Sequence, residues 1–136
     1  MDEDLQRFVD AQARTIDKVR QELKAGRKTS HWMWYVFPQI HGLGRSATAH
    51  RYAIASLDEA KAYIAHPVLG SRLRECTRLV LAQNAKTASE IFGYPDDLKF
   101  RSSMTLFARA SAEPVFRQAL EKYFAGEEDP ETVRRI

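Results

Sequence analysis

Apolar positions recur every three or four residues along most of the chain, and this spacing predicts helices. Leu5, Phe8, Val9, Ile16, Val19 and Leu23, with Gln12 among them, share one face of a helix over residues 2–25. Asp2 and Asp4 sit where the helix dipole favours negative charge, Lys24 falls in the last turn, and Gly26 suits the residue after the end. Ser56-Leu57-Asp58-Glu59 is a capping box. The helix it opens carries Leu57, Ala60, Tyr63 and Ile64 and stops at His66-Pro67. Pro67 then fits the first turn of a helix to about Gln83, with Leu69, Leu73, Cys76, Leu79 and Val80 on one face and Asn84 as terminator. Thr87-Ala88-Ser89-Glu90 is a second capping box, opening a short helix that Gly93 closes. Pro95 and Asp96 begin a segment with Leu98, Phe100 or Arg101, Met104 and Phe107 inward or at the edge. Phe100 to Thr105 is weak in helix formers, which places the helix start late, near Ser102. Ser111 is expected to cap a helix through Phe124, with Pro114 in its first turn and Val115, Phe116, Leu120 and Tyr123 buried; Gly126 ends it. Asp129-Pro130 caps a last helix over residues 131–136, and the charge run Glu127-Glu128-Asp129 before it reads as a solvated turn.

One stretch breaks this periodicity. Ser30-His31-Trp32-Met33-Trp34-Tyr35-Val36-Phe37-Pro38-Gln39-Ile40-His41-Gly42-Leu43-Gly44-Arg45-Ser46 holds both tryptophans and two of the four histidines. Trp32, Tyr35 and Val36 are spaced like one helical face, so Thr29 or Ser30 is expected to cap a short helix. Pro38 restricts Phe37 and ends that helix nearby. A strand over Trp32–Phe37 fits β-propensity, but no second convincing strand exists to pair with it. Gly42-Leu43-Gly44 supplies a turn, and Ser46 suits the N-cap of a short helix through Ile54. The architecture predicted is all-α: a single domain over residues 1–136, built as an irregular array of about seven or eight helices and not a four-helix bundle.

Composition narrows the setting. A chain of 136 residues fits one domain and buries roughly two-thirds of its unfolded surface, so it needs no disulfide staples. No apolar run approaches the roughly 18 residues of a membrane span. The acidic start Met1-Asp2-Glu3-Asp4 has no apolar h-region, so no signal peptide is expected. The single Cys76 has no internal partner, and together these features point to a cytoplasmic protein. The net charge is +3, but its distribution matters more. Between Glu22 and Asp58 there is no acidic residue, while Lys24, Arg27, Lys28, Arg45 and Arg51 are basic; these five charges exceed the net charge of the whole chain. Such a local field favours an anionic partner. The plainer explanation is that a window rich in aromatics lacks carboxylates for packing reasons.

No Walker loop, paired cysteines, HExxH or GxSxG is present. The histidines at 31, 41, 50 and 66 have no partners at metal spacing, so neither a metal site nor a cofactor is expected. The plain reading of the aromatic stretch is a buried corner. Yet both of its faces carry rings and the core can hold only one, so some rings are expected to line a cleft or a partner surface. As a stacking platform for a planar ligand it offers Trp34 with His31, Gln39 and Arg45 as polar contacts. Gly42 and Gly44 allow close approach, and the helix start at Ser46 offers free N–H groups to an anion. Lys99 and Ser102, in Lys99-Phe100-Arg101-Ser102-Ser103-Met104-Thr105, most simply mark a capped helix start; the functional alternative is that they complete the same anion site. The ligand-binding candidates are thus His31, Trp34, Gln39, Arg45, Ser46, Lys99 and Ser102. Only His31 and His41 are candidate general bases in the stretch, and no catalytic residue is assigned. Cys76 falls on an apolar face and reads as core, Asp58 and Glu59 as capping residues, His66 as a helix junction. Single-stranded nucleic acid is disfavoured as a partner, because no basic stripe continues along the chain.

The string from His31 to Gln39, followed by Gly42-Leu43-Gly44 and Ser46, resembles the hallmark of an uncharacterised bacterial domain family. Tyr52-Ala53-Ile54, Glu59-Ala60, His66 to Gly70 with Arg72-Leu73, and Lys99 followed by Ser102 to Phe107 agree with it. The likeness runs from about Leu5 to Phe124. It implies similarity to a mycobacterial conserved hypothetical protein with an all-helical, armadillo-like fold, and it carries no catalytic residue across. The label calpastatin sometimes attached to such proteins names a disordered inhibitor of a eukaryotic protease, which does not suit this compact, well-capped chain. The function expected is a pocket, lined by residues 31–46, for an anionic planar small molecule of the nucleotide or ADP-ribose type. The alternative is a helical interaction module using the aromatic segment as its contact surface. No membrane partner is expected, and a homo-oligomer is compatible with either.

Overall fold

A computed structural model describes the backbone of residues 2–136 and the side chains from Leu5 onward. Among the described residues nine helices follow one another. They are α1 (Asp2–Ala25), α2 (Met33–Val36), α3 (Ala47–Arg51), α4 (Leu57–Ala65), α5 (Pro67–Leu81), α6 (Ala88–Phe92), α7 (Asp96–Ala110), α8 (Pro114–Phe124) and α9 (Pro130–Arg135). The count exceeds the expected seven or eight because every short segment forms its own helix. The side chains of Asp2 and Asp4, expected to favour the start of α1, lie outside the described residues.

Four helices form the centre. α4 packs on α5 and α7, and α8 packs on the same two, so the four close into a ring of neighbours. α1 lies against α5, while α6 and α9 lie against α7. A chain of rings crosses these layers: Phe8 to Tyr63 at 5.2 Å, Tyr63 to Phe107 at 5.3 Å and Phe107 to Phe116 at 5.8 Å between centroids. All four are fully buried, and burying one such side chain contributes about 1.5–3 kcal/mol. Gln12 is buried among them and donates to the Tyr63 hydroxyl (2.9 Å) and the Tyr35 carbonyl (2.6 Å), which satisfies its amide.

Most helix ends follow the capping residues. Thr87 and Glu90 form the complete reciprocal box, and Gly93 closes α6 at φ +77°. Ser56 caps α4 by accepting from the Glu59 N–H, while the Glu59 carboxylate reaches one residue further back, to Ala55 N–H at 2.9 Å. His66 does more than mark a junction: its Nδ1 accepts from Val68 and Leu69 N–H and so caps α5. Just beyond, Gly70 lies so close to α4 that a Cβ there would fall 1.9 Å from the Ile64 carbonyl oxygen. Leu79 and Tyr123, expected inside, are only half-buried.

Several helix ends and one turn differ from the expectation. α3 stops at Arg51, because Ile54 instead pairs with Ile40 in an isolated parallel bridge, with Ile54 N–H donating to the Gln39 carbonyl at 2.8 Å. α7 begins at Asp96 and not near Ser102. Asp96 and Asp97 favour its first turn electrostatically, and the weak helix formers are buried, with Ser102 and Thr105 hydroxyls bonded to the carbonyls four residues back. Ser111 does not cap α8; it accepts from Glu113 N–H, and Glu113 occupies the cap position without a side-chain bond. Glu127 to Asp129 is not simply a solvated turn, since Glu128 pairs with Arg109 at 2.6 Å and Arg117 at 3.3 Å, and Asp129 caps α9 and accepts from Ser102.

Candidate functional site

The aromatic stretch is held by a residue from the last turns of α1. Glu22 is only 7% exposed, and one of its carboxylate oxygens accepts from Thr29 N–H (2.7 Å), Ser30 N–H (3.0 Å) and the Trp32 indole N–H (2.9 Å). Its other oxygen accepts from the Ser30 hydroxyl. Burial pushes this carboxyl's pKa up, but the bonds from Ser30, Thr29 and Trp32 outweigh burial and hold it down at about 2. Neither Thr29 nor Ser30 therefore caps α2, as the sequence suggested. Trp32 takes the cap position with no side-chain bond, because the donors before it all turn back to Glu22.

This anchoring sorts the rings. Trp32, Met33, Val36, Phe37 and Ile40 are buried, and Phe37 meets Phe100 edge-on at 4.9 Å and Phe92 at 6.0 Å. Tyr35 is half-buried edge-on against Tyr52 at 4.8 Å. Trp34 is left half-buried at the surface, and its indole N–H has no hydrogen-bond partner among the described residues.

Lys99 of α7 reaches this ring: its Nζ lies 5.4 Å from the Trp34 centroid and 3.4 Å from an Asp96 carboxylate oxygen. The other Asp96 oxygen takes Lys28 Nζ at 2.7 Å, and Lys28 also lies 5.3 Å from the Trp32 ring. Two ammonium groups thus share one carboxylate. The carboxylate-free window of the sequence is accordingly not carboxylate-free in space, since Glu22 and Asp96 reach it from α1 and α7. A net positive charge nevertheless remains at the Lys28–Asp96–Lys99 cluster.

Two grooves flank Lys99. The first, of about 290 Å³, is walled by His31, Trp34 and Tyr94 together with Lys28, Asp96 and Lys99. The second, of about 240 Å³, runs between Gln39, Leu43, Leu98, Ser102 and Asp129. Lys99 and Pro95 line both. Between them a void of about 10 Å³, bounded by Trp34, Phe37, Gln39 and Tyr52, has room for one water at most. Of the seven candidate residues, His31 and Trp34 lie in the first groove, Gln39 and Ser102 in the second, and Lys99 in both. The Gln39 amide makes no hydrogen bond among the described residues. Ser102 is 6% exposed and its hydroxyl is engaged by the Leu98 carbonyl (3.1 Å) and Asp129 (2.9 Å). Arg45 and Ser46 line neither groove; Ser46 caps α3 by accepting from Ala49 N–H at 3.0 Å, and Arg45 is exposed. Among the described residues no group of three or more His, Cys, Asp and Glu side chains is placed to hold a metal ion.

Residues 2–136 match the family DUF1810, described as a protein of unknown function. The chain belongs to this family. It is also similar to the conserved hypothetical protein Rv1873 from Mycobacterium tuberculosis, whose crystal structure aligns with a TM-score of 0.95 at 57% identity, covering 96% of this chain and 94% of that one. No curated protein matches the chain. At that identity and coverage the mycobacterial protein shares the helical fold. No helix among the described residues is long and apolar enough to cross a membrane.

Lys28, Asp96 and Tyr94 of the first groove and Asp129 of the second were among the groove residues absent from the candidate set. Lys28 stood in the basic window and could have been chosen on charge. Asp96 and Tyr94 carried no signal, because only the packing of α7 against the aromatic stretch brings them there. Cys76 is fully buried as expected, and burial pushes its thiol up to about 12.

Proposed function

We propose that this chain binds an anionic planar small molecule of the nucleotide type in the groove between Trp34 and Lys99. The observation that carries this reading is the Lys28–Asp96–Lys99 cluster beside an unpartnered tryptophan edge: two cations to one anion, next to an aromatic face. The surplus charge suits a phosphate or carboxylate, and the rings of Trp34, Tyr94 and His31 suit a planar group stacked beside it. Arg45 and Ser46 are outside the walls of this site, and Ser102 supports it only by fixing α7 to Asp129. The reading is one of binding, and no reaction is assigned.

Thermal-shift measurements with AMP test it. Near a hundred-fold excess over Kd, a ligand specific to the native state adds about 2.7 kcal/mol of stability. Wild type is expected to shift upward by several degrees, with the shift lost in Trp34→Ala and in Lys99→Ala. No shift with AMP, ADP or inorganic phosphate sinks the reading.

A second reading, a helical interaction module, draws on Tyr94 and Leu98, which are 80% and 47% exposed at the rims of the two grooves. It requires self-association or a partner. Size-exclusion chromatography separates it: a chain eluting at its monomer mass of 15.6 kDa, unchanged in Trp34→Ala, counts against a homo-oligomer built on this surface.

A further inference from the structure

The two grooves differ in chemistry, and they meet at one cation. The first is ringed by aromatics and holds the surplus positive charge. The second carries neutral and acidic acceptors with apolar side chains beside them: the Gln39 amide and the Asp129 carboxylate, with Leu43 in the lining and Leu98 at the rim. Asp129 spends one oxygen, Oδ2, on Ser102, on Thr132 N–H at 3.2 Å and on the Thr132 hydroxyl at 2.6 Å. Its other oxygen accepts no hydrogen bond from within the described residues. An acidic acceptor repels a phosphate but accepts readily from hydroxyls, and the leucine side chains suit the C–H face of a saturated ring. The two grooves, which share Lys99, thus offer a stacking face, a cation and acceptors for hydroxyl groups.

We infer that the ligand is a two-part molecule spanning both grooves: a nucleotide whose phosphate, held at Lys99, is esterified to a second, hydroxyl-rich unit seated between Gln39, Leu43 and Asp129. A nucleoside diphosphate sugar has this composition. The two grooves, of about 290 and 240 Å³, share Lys99 and Pro95 in their walls, so a ligand held at Lys99 can reach into both. This inference rests on the nucleotide site at Trp34 and Lys99 and adds the occupant of the neighbouring groove. It makes Gln39 a specificity residue for the second unit, with no contact to the nucleotide base.

Calorimetric titration of the full chain with AMP, ADP and ADP-glucose tests it. ADP-glucose is expected to bind at least about ten-fold more tightly than both AMP and ADP, the gain that one or two well-formed hydrogen bonds to the sugar supply. ADP binding as tightly as ADP-glucose assigns the gain to the second phosphate and overturns the sugar unit. Gln39→Ala is expected to remove most of that advantage and to leave AMP affinity unchanged; the Gln39 side chain makes no bond within the described residues, so its loss spares the fold. Equal affinities for AMP and ADP-glucose in wild type overturn the two-part ligand while the nucleotide site stands. Equal weakening of AMP and ADP-glucose by Gln39→Ala overturns the separation of the two grooves. Absence of binding by all three compounds overturns the nucleotide site itself, and the inference with it.

Discussion

Glu22 takes four donors on a carboxylate that scarcely meets water, and three of those donors belong to the segment that positions Trp32 and Trp34. Removing the acceptor leaves buried N–H groups without partners, at about 1–3 kcal/mol for the group as a whole and more where several are stranded. Glu22→Ala is therefore expected to lose about 3 kcal/mol in urea titration, and Glu22→Gln less, because an amide oxygen still serves the backbone donors. The pH dependence has a definite sign. The carboxyl ionises at about 2 when folded against an ordinary value of 4.5, so it stabilises the fold fully above pH 4.5 and loses that contribution as pH falls toward 2. About 2–3 kcal/mol separates the two limits for a group this buried. Wild type is expected to weaken over that window more steeply than Glu22→Gln; parallel curves would show that the carboxylate carries no such linkage. Nothing in the sequence pointed to Glu22 beyond its place at the edge of the basic window. A glutamate in the last turns of an amphipathic helix ordinarily faces solvent, and only the chain reversal after Gly26 turns it into an anchor.

Among the elements, the junction between α4 and α5 was legible almost to the residue, and α7 was not. Ser56, the His66-Pro67 pair and the apolar spacing of α5 all act over a few residues, so local chemistry decides them. The start of α7 depends instead on distant partners: Phe100 stacks on Phe92 at 4.7 Å, and the hydroxyls of Ser102 and Thr105 tie to Asp129 and its N–H. Those contacts override the weak helix propensity that placed the start near Ser102. The same contrast explains Ser111, a good cap by type whose hydroxyl is engaged by Glu113. At the α4–α5 junction, Gly70→Ala is the sharpest test. A methyl group would sit 1.9 Å from the Ile64 carbonyl oxygen, so the backbone of one helix must shift to admit it. Overpacking of this kind destabilises by about 1–3 kcal/mol or more. Gly93→Ala serves as the comparison, since its Cβ meets nothing within 4 Å and only the φ of +77° opposes it. A Gly70→Ala thermal midpoint no lower than that of Gly93→Ala would show that the helices slide apart freely.

At the scale of the whole molecule, the electropositive character expected from the window between Glu22 and Asp58 depends on which carboxylates the fold brings to it. α1 supplies Glu22, which is consumed by the donors around Ser30. α7 supplies Asp96, which is shared by two lysines. The aromatic and basic half of the candidate site was therefore visible along the chain, whereas its acidic component and Tyr94 depended on helix packing. This arrangement makes Asp96 an internal competitor for the anion that Lys99 is proposed to hold. Asp96→Asn raises the net charge of the cluster by one, which at about 6 Å from a bound phosphate in a well-solvated groove is worth roughly 0.7 kcal/mol, or about three-fold in affinity. AMP is thus expected to bind Asp96→Asn about three-fold more tightly than wild type at low salt. The gain should shrink toward zero near 1 M salt, where screening acts within about 3 Å. The same substitution strands Lys28, whose side chain is only 7% exposed, and so is expected to lower stability even as it raises affinity. Opposite movement of the two quantities, read from calorimetry and urea titration on one variant, is the signature of a carboxylate that holds the fold together and holds the ligand off. Weaker AMP binding in Asp96→Asn would show instead that Asp96 orients Lys99 toward the groove and that the anion depends on it.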